Sequence, residues 1–271
     1  MRSCCIVAAI LFVGCAKAGA PGGGGGGGGD QVDAGFGGGT QDASHGIVRP
    51  DAEPGIDAAR PIDAAPIPDA RPGVQQVTLS QTTKTDLVAD NAVACPATHA
   101  GTAANQYYRI FDLATLGITS DFTVNTVSFQ VEDCESLDGD GTSVSVRVGT
   151  YTGTIGTTLQ ANAIAIAQSV TAQVPEVDED FDGDTTPGGT VNQPITATIA
   201  AGSKLIIEVD APDGDEEDQF YIGTNGEGQS AAGFVSSPRC SPPGTTPTDV
   251  NTLNTGFTDD LLMTVTGTYQ P

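Results

Sequence analysis

Val144, Ser145, Val146, Arg147 and Val148 alternate apolar and polar side chains without a break, and the same period of two recurs from residue 75 to the end of the chain. Period two sends successive side chains to opposite faces of a strand, so each run reads as a strand with one buried face. Residues 76–79, 107–113, 122–124, 127–132, 164–166, 195–199, 204–209, 220–222 and 261–265 repeat the pattern. Gly, Asp and Pro clusters divide the runs, as at residues 200–203 and 213–215, and no stretch has a capped helical period. The expectation is an all-β fold, a jelly-roll-like antiparallel β-sandwich over residues 75–271. With no Trp and few Phe or Tyr, its core rests on Val, Ile and Leu.

Several runs carry a resemblance. Asn105-Gln106-Tyr107-Tyr108-Arg109-Ile110-Phe111-Asp112-Leu113 is followed by Val127-Ser128-Phe129-Gln130-Val131-Glu132, Ala200-Ala201-Gly202-Ser203-Lys204-Leu205 and Phe220-Tyr221-Ile222-Gly223-Thr224-Asn225. Together they resemble a β-sandwich module of secreted and surface bacterial proteins, which implies the fold and a role in adhesion or accessory binding. A fold alone does not give a function.

The chain upstream of the domain has a different character. Residues 22–29 are unbroken glycine, and Asp-Ala recurs with a period of six at Asp51, Asp57, Asp63 and Asp69 among many prolines. Such a segment has too few large apolar side chains to offset its ordering entropy, so residues 15–74 read as a disordered tether. Its proline half favours extended polyproline II, on the order of 75 Å of reach at ~3.1 Å per residue. His45 lies in it with no role.

Before the tether, Arg2 precedes an apolar run, Ile6 to Val13, closed by Gly14 and Cys15. That is the order of a secretory signal, and the run is too short to span a bilayer. Leu11-Phe12-Val13-Gly14-Cys15 resembles the lipobox of bacterial lipoproteins, and the Gly- and Asp-Ala-Pro-rich tether resembles those of myxobacterial surface lipoproteins. The resemblance implies a signal peptide at 1–14, acylation at Cys15, and an exported protein held to a membrane by lipid. Ala16 in place of an aspartate favours the outer membrane or cell surface.

Cys4 and Cys5 then leave with the signal, and Cys95, Cys134 and Cys240 remain in the domain. An oxidising compartment favours one disulfide and one leftover thiol, with three pairings open. Cys95 and Cys240 both sit in proline-flanked loop sequence, and modules of the resembling kind carry cysteines at about those places, which implies a Cys95–Cys240 bridge. Cys134 is then a free thiol, or else the true partner of one of the others.

Charge is the other strong signal. The chain has 34 acids against 10 bases, and residues 75–271 alone carry about −21. Nucleic acid and anionic headgroups are excluded as partners. The acids concentrate at Asp178, Asp180, Asp182 and Asp184, where D-x-D-x-D-G matches the opening half of an EF-hand loop. Alternate oxygens curl around one hard cation there, so calcium is the candidate cofactor. The motif lacks its closing bidentate Glu, since Gly189 stands at position twelve, so further ligands would come from residues 213–218 or from Asp138 and Asp140. The alternative is a solvated acidic hairpin tip.

Catalysis has little to stand on. His99 is the domain's single histidine, and neither G-x-S-x-G nor H-E-x-x-H occurs. The expectation is a protein that is not an enzyme. Tyr107, Tyr108 and Tyr151 are the plausible aromatic platforms. If the strands share a sheet, Gln130, Glu132, Arg147 and Glu208 form a polar strip of the kind that binds carbohydrate, the alternative being a solvated outer face. Arg109, between Tyr107 and Phe111 on one face, is expected in a half-buried ion pair with Glu132 or Glu208. The reading is a non-catalytic, lipid-anchored cell-surface or periplasmic protein displaying a β-sandwich for adhesion or envelope interaction. Its partners are the membrane, through the anchor, and surface polysaccharide or another envelope protein. The second reading is a carbohydrate-binding or calcium-dependent module.

Overall fold

A computed structural model of the chain describes residues 73–88, 91–97, 101–177, 188–214, 218–253 and 258–271. Residues 1–72, which hold the expected signal peptide, Cys15 and nearly all of the expected tether, lie outside the described residues, as do His99 and the 178–184 acidic loop. The strands are β1 (Gln75–Leu79), β2 (Asn105–Asp112), β3 (Phe122–Glu135), β4 (Thr142–Tyr151), β5 (Ile164–Val174), β6 (Thr190–Ile199), β7 (Lys204–Ala211), β8 (Gln219–Ile222), β9 (Thr224–Asn225), β10 (Gly233–Ser236), β11 (Thr248–Asp249), β12 (Asp260–Leu261) and β13 (Met263–Tyr269). One helical turn follows β11 and one 3-10 turn precedes β5.

All pairings are antiparallel. One sheet runs β1-β13-β3-β6, with β8 also on β3, and the other runs β11-β10-β2-β7-β4-β5, while β9 and β12 form a small ribbon. Most connections cross from one sheet to the other, and the fold is an antiparallel β-sandwich. Its core follows from the alternation: Phe122, Val124, Val127, Phe129 and Val131 of β3 belong to one buried cluster with Val144, Val146 and Val148 of β4 and Leu205, Ile207 and Val209 of β7. A second cluster of Tyr108, Ile110, Tyr151, Leu159, Ile206 and Phe234 takes in the opposite side of the six-stranded sheet.

Two strands differ from the expectation. Residues 122–124 and 127–132 form one strand, because a bulge between Val124 and Thr126 inserts Asn125 against β13. Val124 and Val127 are three apart, so only an added residue lets both face the core. The run at 164–166 likewise continues to Val174, across an irregularity at Ala167.

Candidate functional site

The strip expected from Gln130, Glu132, Arg147 and Glu208 does not assemble. Gln130 and Glu132 stand on β3 in the five-stranded sheet, whereas Arg147 on β4 and Glu208 on β7 belong to the other sheet. Each alternation was legible strand by strand, but the two sheets turn their polar sides to opposite exteriors. The tyrosines are no stacking platforms either: Tyr107, Tyr108 and Tyr151 are all buried, and the Tyr107 hydroxyl donates to the Val93 carbonyl at 2.9 Å.

Arg109 also corrects the expectation. It is fully buried and pairs with neither Glu132 nor Glu208. In register it lies opposite Ile207 and Gly233, so it points to the core side of its sheet, away from Glu208. Its guanidinium donates to the Leu261 carbonyl (Nε 3.2 Å, Nη2 2.6 Å), the Ala231 carbonyl (2.7 Å) and Gln229 Oε1 (2.6 Å). A Cβ on Gly233 would fall 2.9 Å from the Leu261 side chain, so glycine there lets Leu261 lie close enough to present that carbonyl. Desolvation lowers the guanidinium pKa to about 10, with Asp260 and Asp249 acting to raise it. It remains charged at neutral pH and ties β2 to β12 and the loop before β10. Its place is structural.

Arg147 pairs with Glu208 and Asp210, each at 2.6 Å. Beside them Gln106 Oε1 accepts from Tyr108 (3.1 Å) and Ser236 (2.8 Å). Burial raises the Glu208 pKa while Arg147 opposes the rise. These groups satisfy one another, which makes a self-contained polar patch.

The outer face of the five-stranded sheet is different. Thr78, Thr266 and Thr126 stand side by side across β1, β13 and β3. Thr264, Ser128 and Asn192 form the next row across β13, β3 and β6. On the other side Gln76, Thr268, Thr123 and Thr198 span all four strands. Gln130 and Thr190 extend the grid. Rows and columns repeat at roughly 4.8 Å and 7 Å, as pleated strands require. Thr78 and Thr266 hydroxyls meet at 2.9 Å, and Ser128 donates to Asn192 Oδ1 at 2.7 Å. A shallow groove of about 330 Å³ runs over the Thr264–Ser128–Asn192 row, walled by Thr82 and Thr85. Every side chain of this grid is a neutral hydroxyl or amide, on a chain with 34 acids. Gln130 is the one member named from sequence. The signal for the rest was the outward half of each alternation, as in Thr264, Thr266 and Thr268.

The calcium residues Asp178, Asp180, Asp182 and Asp184 lie outside the described residues. Among the described helpers, Asp138 accepts from Ser136 at 3.0 Å, Asp218 accepts from the Leu137 amide at 3.0 Å, and Asp213 pairs with Arg239, while residues 215–217 lie outside the described residues. Among the described residues no group of three His, Cys, Asp or Glu is placed to hold a metal. Cys95 and Cys240 are joined as a disulfide, with Cα atoms 5.9 Å apart, and Cys134 is a buried free thiol.

Asp259 carries a pH signature. It is 6% exposed, its amide donates to Asn251 Oδ1, and its Oδ1 has no hydrogen-bond partner among the described residues. Burial, with Asp260 adding repulsion, raises its pKa to about 6. A raised carboxyl pKa means the folded state holds the proton more tightly than the unfolded one. This contribution is therefore complete below about pH 4 and is lost as pH rises through 6, on the order of 2 kcal/mol. Asp259→Asn should be the more stable protein at pH 7.5, with its advantage shrinking towards pH 4 in urea titrations. A constant difference across that range would refute the assignment.

Compared with known proteins, the chain matches no family model, no curated protein and no solved structure.

Proposed function

We propose that the chain is an exported, lipid-anchored, non-catalytic envelope protein whose β-sandwich adheres to uncharged polysaccharide through the threonine face of its five-stranded sheet. The neutral grid around Thr78, Thr266, Ser128 and Asn192 carries this reading. An outer face with only a solubilising role shares in the charge of an acidic chain, and the grid has none: the charges of this face, Asp133 and Glu135, stand apart at the β8 end of β3. Sugar hydroxyls donate and accept, as Thr, Ser, Asn and Gln side chains do, so a glycan replaces the bound water without desolvating any charge. The grid itself contains no aromatic ring, so each site is weak and adhesion depends on many anchored copies acting together.

Polysaccharide pull-down or glycan arrays should show binding that is insensitive to salt, because no charge takes part. Ser128→Glu with Thr266→Glu should weaken it at least tenfold, while stability changes by about 0.5 kcal/mol per exposed substitution. Binding by the double variant at the wild-type level would defeat the glycan reading. The anchor is tested separately. Cys15→Ser should abolish lipid labelling and move the protein to the soluble fraction, since several acyl chains give far firmer attachment than one. Recovery of the variant with membranes at wild-type levels would count against the lipoprotein reading.

A further inference from the structure

We propose that the open edge of β5 is a self-association surface, where two copies of this chain pair antiparallel and join their six-stranded sheets across a two-fold axis. This does not depend on the glycan reading.

An exposed sheet edge presents unpaired amides and carbonyls, and proteins that must stay apart blunt such edges with short strands, prolines or charges. Among the described residues the other edges of the two sheets are blunted. β1 has five residues, β8 has four, β11 has two, and β6 carries Pro194. The remaining edge, β5, has eleven residues, Ile164-Ala165-Ile166-Ala167-Gln168-Ser169-Val170-Thr171-Ala172-Gln173-Val174. It holds no proline, glycine or charged side chain, and among the described residues it pairs only with β4. Residues 165–169 are all exposed, including Ile166 at 43%. The irregularity at Ala167 still leaves residues 168–174 in unbroken register with β4.

Charge identifies the occupant. The chain carries −24, so contact between two copies over most of the surface opposes like charges. β5 adds no charge of its own to that repulsion along eleven residues, and the neighbouring acids Asp140 and Glu176 fall at or beyond its Val174 end. The strand is also self-complementary. About a two-fold axis through Thr171, Gln168 pairs with Val174, Ser169 with Gln173, Val170 with Ala172, and Thr171 with itself. Pairing about a residue keeps each side chain on its own face. Val170, Ala172 and Val174, which lie opposite the core residues Val146 and Val144 or at their end of β4, therefore continue the core side across the junction. Ser169, Thr171 and Gln173 meet on the outer side. A two-fold pairing of this kind closes on itself and forms a dimer, not a fibre.

The test uses the full-length chain carrying Cys15→Ser, so that acyl chains do not associate by themselves. Sedimentation over a wide concentration range should show a monomer–dimer equilibrium. Thr171→Lys, at an exposed position where fold stability should hold, sets two ammonium groups face to face and should raise the dimer dissociation constant at least tenfold. Thr171→Glu should do the same, and an equimolar mixture of the two variants should recover the dimer. A wild-type chain that stays monomeric overturns the proposal, as it would if another segment or an extended peptide occupied the edge. A dimer indifferent to both substitutions overturns it too.

Discussion

Arg109→Ala is expected to cost about 4 kcal/mol of folding stability, enough to lower the melting temperature by roughly 10 °C for a domain of this size. The guanidinium is fully buried and serves three acceptors, the carbonyls of Leu261 and Ala231 and the amide oxygen of Gln229. Truncation leaves the buried Leu261 carbonyl without a donor, at about 1–3 kcal/mol, removes the donors of the half-buried Ala231 and Gln229 oxygens as well, and adds a cavity. Arg109→Met separates the two effects. It restores much of the volume and none of the donors, so a loss of about 3 kcal/mol should persist. Arg109→Lys keeps the charge, but a point ammonium cannot reach acceptors spread around a planar fork, and an intermediate loss follows. Urea denaturation of the three variants measures the series. Arg109→Met within about 1 kcal/mol of wild type would show that the residue acts as packing, not as a hydrogen-bond hub.

Arg109 also shows which parts of this molecule can be read from sequence. Its place between Tyr107 and Phe111 on one face of β2 is a local fact, and all three are buried together. Its partners are not local. Two of them are backbone carbonyls, which every residue possesses and no sequence pattern marks, so a carboxylate was the natural but wrong expectation. The same limit explains the polar strip. Period two assigns Gln130 and Arg147 to outward faces correctly, yet nothing within a strand tells which sheet it joins, and β3 and β4 join different ones. The threonine grid was hidden for that reason. Thr264, Thr266, Thr123 and Thr198 become one surface only when β13, β3 and β6 are neighbours. The ribbon strands β9 and β12 have two residues each, too few for any period to register.

Serine at both Cys95 and Cys240 should be at least as damaging as the loss of Arg109, through the unfolded state instead of the core. The bridge joins residues separated by 145 positions, and closing a loop of that length removes chain entropy worth about 5 kcal/mol from the denatured ensemble. A fall of more than about 10 °C in the melting temperature is expected. Because the folded packing is unchanged, the loss should appear mainly as a lower unfolding free energy, with the native spectrum of the variant intact at low temperature. Cys134 supplies the covalent control. It is buried in the sandwich, and burial pushes its thiol pKa up to about 11, so the nucleophilic thiolate is scarce at neutral pH. Alkylation without reductant should therefore leave the native domain unlabelled and add one group after urea unfolding. Peptide mapping should recover Cys95 joined to Cys240. A bridge from Cys134 to either one would require a core residue of β3 to leave its strand for the loops that hold Cys95 and Cys240, and finding it would overturn both the pairing and the stability argument built on it.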